Sequence, residues 1–434
     1  MAPAQAPTHA RPSPDQARGY AVRPGTEPED VVLFVPRLVL AVPRYAIKAV
    51  FFPVTQLIAY LDREAVVERV VDVLYNDERT AAIVPKLSVA TFFGPTLGIK
   101  AFHDDLAGHG EQGSVDVVFG GRFEQAYQLA FRAARFGGTH LWVESMTRFE
   151  IEPSLLFQGI GDAASRAAGM GLDPREAAVV SRFRQQRLLS LWRVGYTLGF
   201  PGPRTQIGVT GIYNQREFGR ADRGSSASTD AVYDTRRLVG FDAGVSTLET
   251  DVNLVVDTRD RAGATSQGVY MEAFGGAVLP FADYHYWHHG LELTTYIDLY
   301  RASRVLVLRA LVEGVEGAAE HIPFSDLPRL GGPYRLRGYP LDRFRDEKAA
   351  VGTIEYHYPI HQYVAGSLYF DVGQVAASYT DLFEREWKRG FGGGFIVRSQ
   401  DRVLFTFDVA YGEALQFYFT TDPLRAFTGR DTEL

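Results

Sequence analysis

Downstream of Arg79 apolar and polar residues take turns with a period of two, in segments of about 8 to 12 residues bounded by turn formers. Between 401 and 411, Val403, Phe405, Phe407, Val409 and Tyr411 face one way, and Arg402, Thr406 and Asp408 the other. Between 304 and 313, Leu306, Leu308, Ala310 and Val312 oppose Arg309 and Glu313, and between 391 and 397, Phe391, Phe395 and Val397 oppose Gly392, Gly394 and Ile396. Strands are predicted to start near 81, 96, 114, 125, 139, 182, 204, 248, 268, 284, 303, 349, 364, 388, 401 and 414, which makes sixteen without a helical crossover. So many antiparallel strands in series exceed what an open twisted sheet usually holds, and closure into a barrel is the economical solution. Connections at 160–181, 218–247, 314–348 and 375–387 are long, whereas those at 200–203, 258–267, 301–303 and 362–363 are short. Long loops at one rim and tight turns at the other describe a membrane barrel. The expected fold is all-β, a 16-stranded antiparallel transmembrane β-barrel over residues 80–427, with a C-terminal tail at 428–434.

Aromatic residues gather near strand ends, at Tyr284, Tyr286 and Trp287, Tyr296 and Tyr300, Tyr356 and Tyr358, and Phe417, Tyr418 and Phe419. Interfacial girdles of a membrane barrel would account for that placement. The N-terminal segments differ in character. Residues 1–27 are rich in proline and poor in large apolar groups, so a flexible tail is expected, and 1–30 have no apolar core that would suit a signal peptide. Residues 28–79 are strongly apolar, yet Pro36, Pro43 and Pro53 interrupt them and Arg37, Arg44 and Lys48 charge them, which fits short amphipathic helices better than a spanning one. Over 56–74, Leu57, Tyr60, Leu61, Val67, Val70, Val71 and Leu74 oppose Asp62, Arg63, Glu68, Arg69 and Asp72. Such a helix suits either a protein core or a lipid leaflet.

Composition narrows the function. The 434 residues are 46% hydrophobic and 13% aromatic, with 43 glycines and no cysteine, which excludes disulfide, thiol and Cys-zinc chemistry. A net charge of -7 with no basic stripe argues against nucleic-acid binding. No apolar uncharged run reaches eighteen residues, so no helical span is expected, although a β-barrel needs none. Gly-x-Ser-x-Gly, HExxH and phosphate-loop motifs are absent, so no catalytic residue and no cofactor are expected. His285, His288 and His289 flank Trp287, but alternation puts His288 and His289 on opposite faces and no fixed carboxylate partner is evident. No metal site is expected there.

Four separated motifs stand out. They are Phe157-Gln158-Gly159-Ile160-Gly161-Asp162, then Asp257-Thr258-Arg259-Asp260 followed by Gly268, then Leu336-Arg337-Gly338-Tyr339 preceded by Gly331-Gly332 and followed by Glu355, and finally Phe370-Asp371-Val372-Gly373. In this order, ahead of a terminal strand ending Phe417-Tyr418-Phe419, they resemble the barrel of the BamA/TamA-like bacterial surface-antigen superfamily, which assembles or exports proteins at outer membranes. The resemblance covers about residues 80–427 and implies a bacterial outer-membrane location among lipopolysaccharide and phospholipid. It also implies that the Arg337 loop enters the lumen and that Arg337 pairs there with Glu355 and Asp371. Parity permits this, since each acid alternates with apolar neighbours, and Gly338 would allow a sharp loop tip that Tyr339 wedges. Family members that handle protein usually carry POTRA modules ahead of the barrel; the proline-broken 28–79 segment does not read as one. The expected function is assistance to insertion or translocation of protein or lipid, with the lumen closed by the Arg337 loop and a weak seam between first and last strands. A docking barrel that binds a periplasmic or surface partner through residues 29–75, or a passive pore, are the alternatives.

Overall fold

The structure is a computed structural model that describes residues 73–89, 95–121, 124–162, 170–261, 265–280, 283–361, 364–399 and 402–420. The expected tails at 1–27 and 428–434 lie outside these residues, as do the helices of 28–79 except for the segment from 73 onward. The first eight strands are β1 (Ala81–Val89), β2 (Pro95–His103), β3 (Gln112–Gly120), β4 (Glu124–Ala133), β5 (Leu141–Phe157), β6 (Ser181–Thr197), β7 (Gln206–Arg220) and β8 (Val245–Asp257). They are followed by β9 (Gly268–Val278), β10 (Tyr286–Tyr300) and β11 (Arg304–Glu316). A long loop then carries the two-residue strands β12 (Arg329–Leu330) and β13 (Phe344–Arg345), which pair only with each other. The chain closes with β14 (Lys348–His361), β15 (Val364–Ala376), β16 (Lys388–Ser399), β17 (Arg402–Tyr411) and β18 (Leu415–Thr420).

Apart from β12 and β13, every strand pairs antiparallel with its neighbours in sequence, in one 16-stranded sheet. Successive pairing of this kind needs only short turns, and the even alternation of the sequence supplies one inner and one outer face to each strand. Along β15, Leu368 and Phe370 are 54% and 42% exposed, whereas Asp371 between Phe370 and Val372 is 1% exposed. Ile99, Leu129, Trp192, Val209, Leu291 and Ile354 extend the outward apolar surface across the sheet. Buried Glu150, Arg187, Arg216, Glu249, Asp251, Arg309 and Asp371 make the opposite face ionic. Apolar outside and polar inside is the arrangement of a sheet solvated by lipid rather than by water.

The four long connections meet at one rim. Gly161 donates its N–H to the Arg345 carbonyl at 2.5 Å, Leu172 to Val232 at 3.0 Å and Phe324 to Val239 at 3.0 Å, while Arg385 pairs with Asp162 at 2.9 Å. They share a core in which Phe157, Phe183, Phe218, Phe241 and Phe324 contact one another mostly edge to face, at centroid distances of 4.9 to 6.2 Å. Such pairs add directional preference to area burial and fix how the loops stack.

Two features differ from the sequence expectation. Tyr284, Tyr286 and Tyr418 are buried inside instead of joining an interfacial girdle. Their hydroxyls donate to the Gly244 carbonyl at 2.8 Å, Asp326 Oδ2 at 2.7 Å and the Tyr339 carbonyl at 3.0 Å, acceptors that a lipid face does not offer. Trp287, next to Tyr286, takes the outer face at 66% exposure. Among the described residues, the edge strands β1 and β18 also do not pair with each other, so the sheet has two free edges. Pro85 in β1 suits an edge, where a missing N–H costs least.

The outward face generates a prediction. Leu368→Arg is expected to weaken folding into lipid vesicles by about 2 to 4 kcal/mol, measured by urea titration of the heat-modifiable band. A protein whose outer face met water would respond by a few tenths.

Candidate functional site: an arginine-locked loop against the inner wall

The loop from 317 to 347 turns back onto the inner faces of β14 to β18. Its tip needs unusual backbone angles: Gly331, Gly332 and Gly338 have φ of 119°, 89° and 91°, and Leu336 takes φ 94° although it has a side chain. A non-glycine residue in that region is held there by its surroundings. Leu336 is fully buried with Leu330, Tyr339, Phe344, Ala349, Val351 and Val375, so packing supplies the constraint. Gly373 in the wall leaves this cluster room, since a Cβ there would crowd a Leu330 methyl at 3.2 Å and a Leu336 methyl at 3.3 Å.

Arg337 stands at the tip. Its Nε donates to Asp371 Oδ2 at 2.8 Å and its Nη2 to Asp371 Oδ1 at 2.9 Å, a bidentate fork, while Nη1 donates to Glu355 Oε2 at 2.8 Å. The Arg337 backbone N–H adds a bond of 3.0 Å to the same Asp371 carboxylate. The guanidinium lies over the Tyr369 ring, 3.3 Å from its centroid, and Glu355 also meets His357 Nε2 at 2.7 Å. Burial works against the charged guanidinium, but the Asp371 and Glu355 carboxylates outweigh it and hold its pKa well above the ordinary arginine value. Asp371 lies in register with Thr353 and Gly390, and Tyr369 with Glu355 and Gly392, so three adjacent strands build the receptor.

The floor beneath is glycine. A Cβ at Gly390 would stand 1.9 Å from the Arg337 carbonyl oxygen, and one at Gly392 would stand 2.7 Å from the Tyr369 hydroxyl. Gly338 presses on the β17–β18 turn, where its own Cβ would meet Gly412 N and Tyr411 C at 2.6 Å. Its N–H donates to the Tyr418 hydroxyl at 3.1 Å, which in turn donates to the Tyr339 carbonyl at 3.0 Å. Glu413 N–H donates to the Gly338 carbonyl at 3.0 Å, and Arg343 forms a second fork on Glu413 at 2.7 and 3.2 Å. The tip is therefore fastened to the last hairpin as well as to β14 and β15. Tyr339 donates to the Arg389 carbonyl at 3.1 Å and packs on Phe344.

Sequence-selected residues thus fall into four places. Arg337, Glu355 and Asp371 meet, with Gly331, Gly332, Gly338, Tyr339 and Gly373 shaping the loop and its seat. Phe157, Gly159 and Gly161 belong to the rim core; a Cβ at Gly159 would be 2.3 Å from the Ala177 carbonyl oxygen. Asp257, Arg259 and Asp260 form a separate set at the β8–β9 connection, where Asp257 takes forks from Arg259 at 2.9 Å and from Arg204 at 2.8 and 3.2 Å. Phe370, Phe417 and Phe419 face outward. Sequence reasoning missed Tyr369, His357, Arg343 with Glu413, and Tyr418. The Gly390-Phe391-Gly392-Gly393-Gly394 run was a usable signal for a close backbone approach.

One expectation is corrected. His288 does have carboxylate partners: its Nε2 is 2.7 Å from Asp251 Oδ1 and 3.9 Å from Glu249 Oε2, all three residues buried. They lie on β8, two strands away, and cross-strand register is invisible to a reading of local alternation.

No protein-family profile and no curated protein sequence matches the chain. Solved structures do. BamA from Haemophilus ducreyi lacking POTRA domains 1-3 superposes with a TM-score of 0.59 at 13% identity, over 79% of this chain and 69% of that one. CdiB from Acinetobacter baumannii gives 0.44 at 12% identity over 78% of this chain and 58% of its own, and CdiB from Escherichia coli 0.47 at 10% over 78% and 61%. The chain has a BamA/TamA-like β-barrel fold. At these identities the likeness is one of architecture.

Arg337→Ala leaves two buried carboxylates without their counter-charge and is expected to cost about 3 to 5 kcal/mol. Asp371→Asn and Glu355→Gln should each lower folded yield in heat-modifiability gels, and Arg337→Ala/Asp371→Asn should cost less than the sum of its singles. Full folded yield in all three single variants would remove the pairing from the account of stability.

Asp260 gives a pH prediction. Burial raises the pKa of its carboxyl, and hydrogen bonds from Ser266 Oγ at 2.6 Å and from the backbone N–H groups of Ser266, Gln267 and Arg261 more than reverse that, leaving it below the ordinary value. A depressed carboxyl contributes stability that is present above the unfolded value of about 4 and lost as pH falls through the folded one. The urea midpoint of unmodified protein should therefore exceed that of Asp260→Asn at pH 7 by more than at pH 3.

Proposed function

We propose that the chain is a bacterial outer-membrane barrel that assists insertion or translocation of protein or lipid through its wall, its lumen closed by the loop held at Arg337. The observation that carries this reading is the pairing of a loop fixed against the inner wall with two sheet edges that do not pair with each other among the described residues. A fixed loop obstructs passage down the axis. Unpaired edges at β1 and β18 offer N–H and C=O groups to an incoming strand, which binds by adding to the sheet. The tip's bonds to Glu413, Ala414 and Tyr418 run to the hairpin that ends in one of those edges, so that client strands and loop would compete for the same hairpin. In this reading the partners are the bilayer's lipopolysaccharide and phospholipid and, through residues 29–75, a periplasmic protein. No catalytic chemistry is part of it.

The absence of cysteine makes the test clean. Cysteines introduced one in β1 and one in β18 should cross-link under oxidation when the two edges come together in the bilayer. In phospholipid vesicles the unmodified protein should speed the folding of an unfolded outer-membrane barrel client. The oxidised cysteine pair should lose that effect and regain it on reduction. Equal acceleration by the locked protein, or none by the unmodified one, would overturn the reading.

A further inference from the structure

We infer that Glu249, Asp251 and His288 form a binding site for a divalent transition cation of the zinc type on the inner wall, distinct from the Arg337 receptor. Alternation along β8 turns Thr247, Glu249 and Asp251 to the inner face, and along β10 it turns Tyr286 and His288 inward while Trp287 faces out. Pairing sets Asp251 opposite Gly276 of β9 and Gly276 opposite His288, one row across three strands. Neighbouring strands lie about 4.8 Å apart, so side chains on β8 and β10 meet only if the residue between them leaves the space open. Gly276 does so: a Cβ there would stand 1.8 Å from Asp251 Oδ1. Glu249 occupies the next inward row, opposite Val278.

The three donor atoms lie within 4.8 Å of one another, with His288 Nε2 at 2.7 Å from Asp251 Oδ1 and 3.9 Å from Glu249 Oε2. Bonds of about 2.0 to 2.2 Å at a tetrahedral centre separate its donors by roughly 3.3 to 3.6 Å, between those two values, so small side-chain rotations complete the set. Charge favours the same occupant. An imidazolium leaves the triad at a net charge of -1 and a neutral imidazole at -2, whereas a divalent cation with neutral imidazole and two carboxylates sums to zero in a buried place. Thr247 donates to the second Glu249 oxygen at 3.2 Å, an outer contact of the kind that orients metal-binding carboxylates. A nitrogen among the donors selects zinc-like ions over calcium and magnesium, which take oxygen. Three protein donors leave one position for water.

The test is metal content. Folded protein in detergent, dialysed against zinc and then desalted, should retain about one zinc ion per chain and should not retain calcium under the same treatment. His288→Gln should lower zinc affinity at least about 100-fold while keeping the heat-modifiable band. The rings of His285 and half-buried His321, with centroids 3.9 Å apart, are the competing place, and His285→Asn/His321→Asn should leave the zinc content unchanged. Cobalt added to unmodified protein gives a readout that depends on no variant: visible absorption of a four-coordinate N/O centre. Zinc lost on desalting, zinc kept by His288→Gln, zinc lost in the His285/His321 pair, or cobalt spectra of the free hexa-aquo ion would each overturn the assignment.

Discussion

One buried cation organises the inner wall. A guanidinium removed from water is tolerable only where every donor is answered, and Arg337 has a bidentate carboxylate, a second carboxylate and an aromatic face around it. Reaching that place dictates the rest of the loop. Positive φ at Leu336 and Gly338 makes the tip narrow, and glycines at 373, 390 and 392 make the wall thin where the loop lies. Each acid depends on the β period, since a one-residue slip of β14 or β15 would turn Glu355 or Asp371 to lipid and bring Ile354 or Phe370 inside.

From this anchor the loop gathers much of the barrel's interior. Arg309 on β11 donates to the Tyr334 carbonyl at 2.6 Å, Arg335 meets Glu313 at 2.5 Å, and Arg216 on β7 reaches Ser325 at 2.6 Å. Buried Arg345 donates to the Phe324 carbonyl at 3.0 Å and lies 5.5 Å from the Phe157 and Phe324 ring centroids. Ionic contacts at the tip and an aromatic core at the rim are thus two ends of one packed element. The wall's outer face is apolar and its inner face ionic, so the packed interior that a water-soluble sheet would build from aliphatic side chains is here built largely from paired charges. Removing one partner from such a network costs more than any surface pair could.

The sixteen wall strands were legible because period two and turn residues are local signals; from β1 to β18 the expected starts fall close to the observed ones. Arg337, Glu355 and Asp371 were legible by resemblance plus parity, which says which way an acid points without saying what it faces. Register was not legible. It decides that Asp251, Gly276 and His288 share a row, that Tyr369 lies under the guanidinium, and that Tyr418 closes on Gly338. The buried tyrosines were misread for a related reason: an aromatic near a strand end suits a girdle or a lumen equally, and only the acceptor it meets distinguishes them.

If Arg337 holds the loop across the lumen, single-channel recording in planar bilayers should separate unmodified protein from Arg337→Ala. Small, infrequent openings are expected in the former and a larger, sustained conductance in folded Arg337→Ala. A large steady conductance in the unmodified protein, unchanged by the substitution, would contradict it.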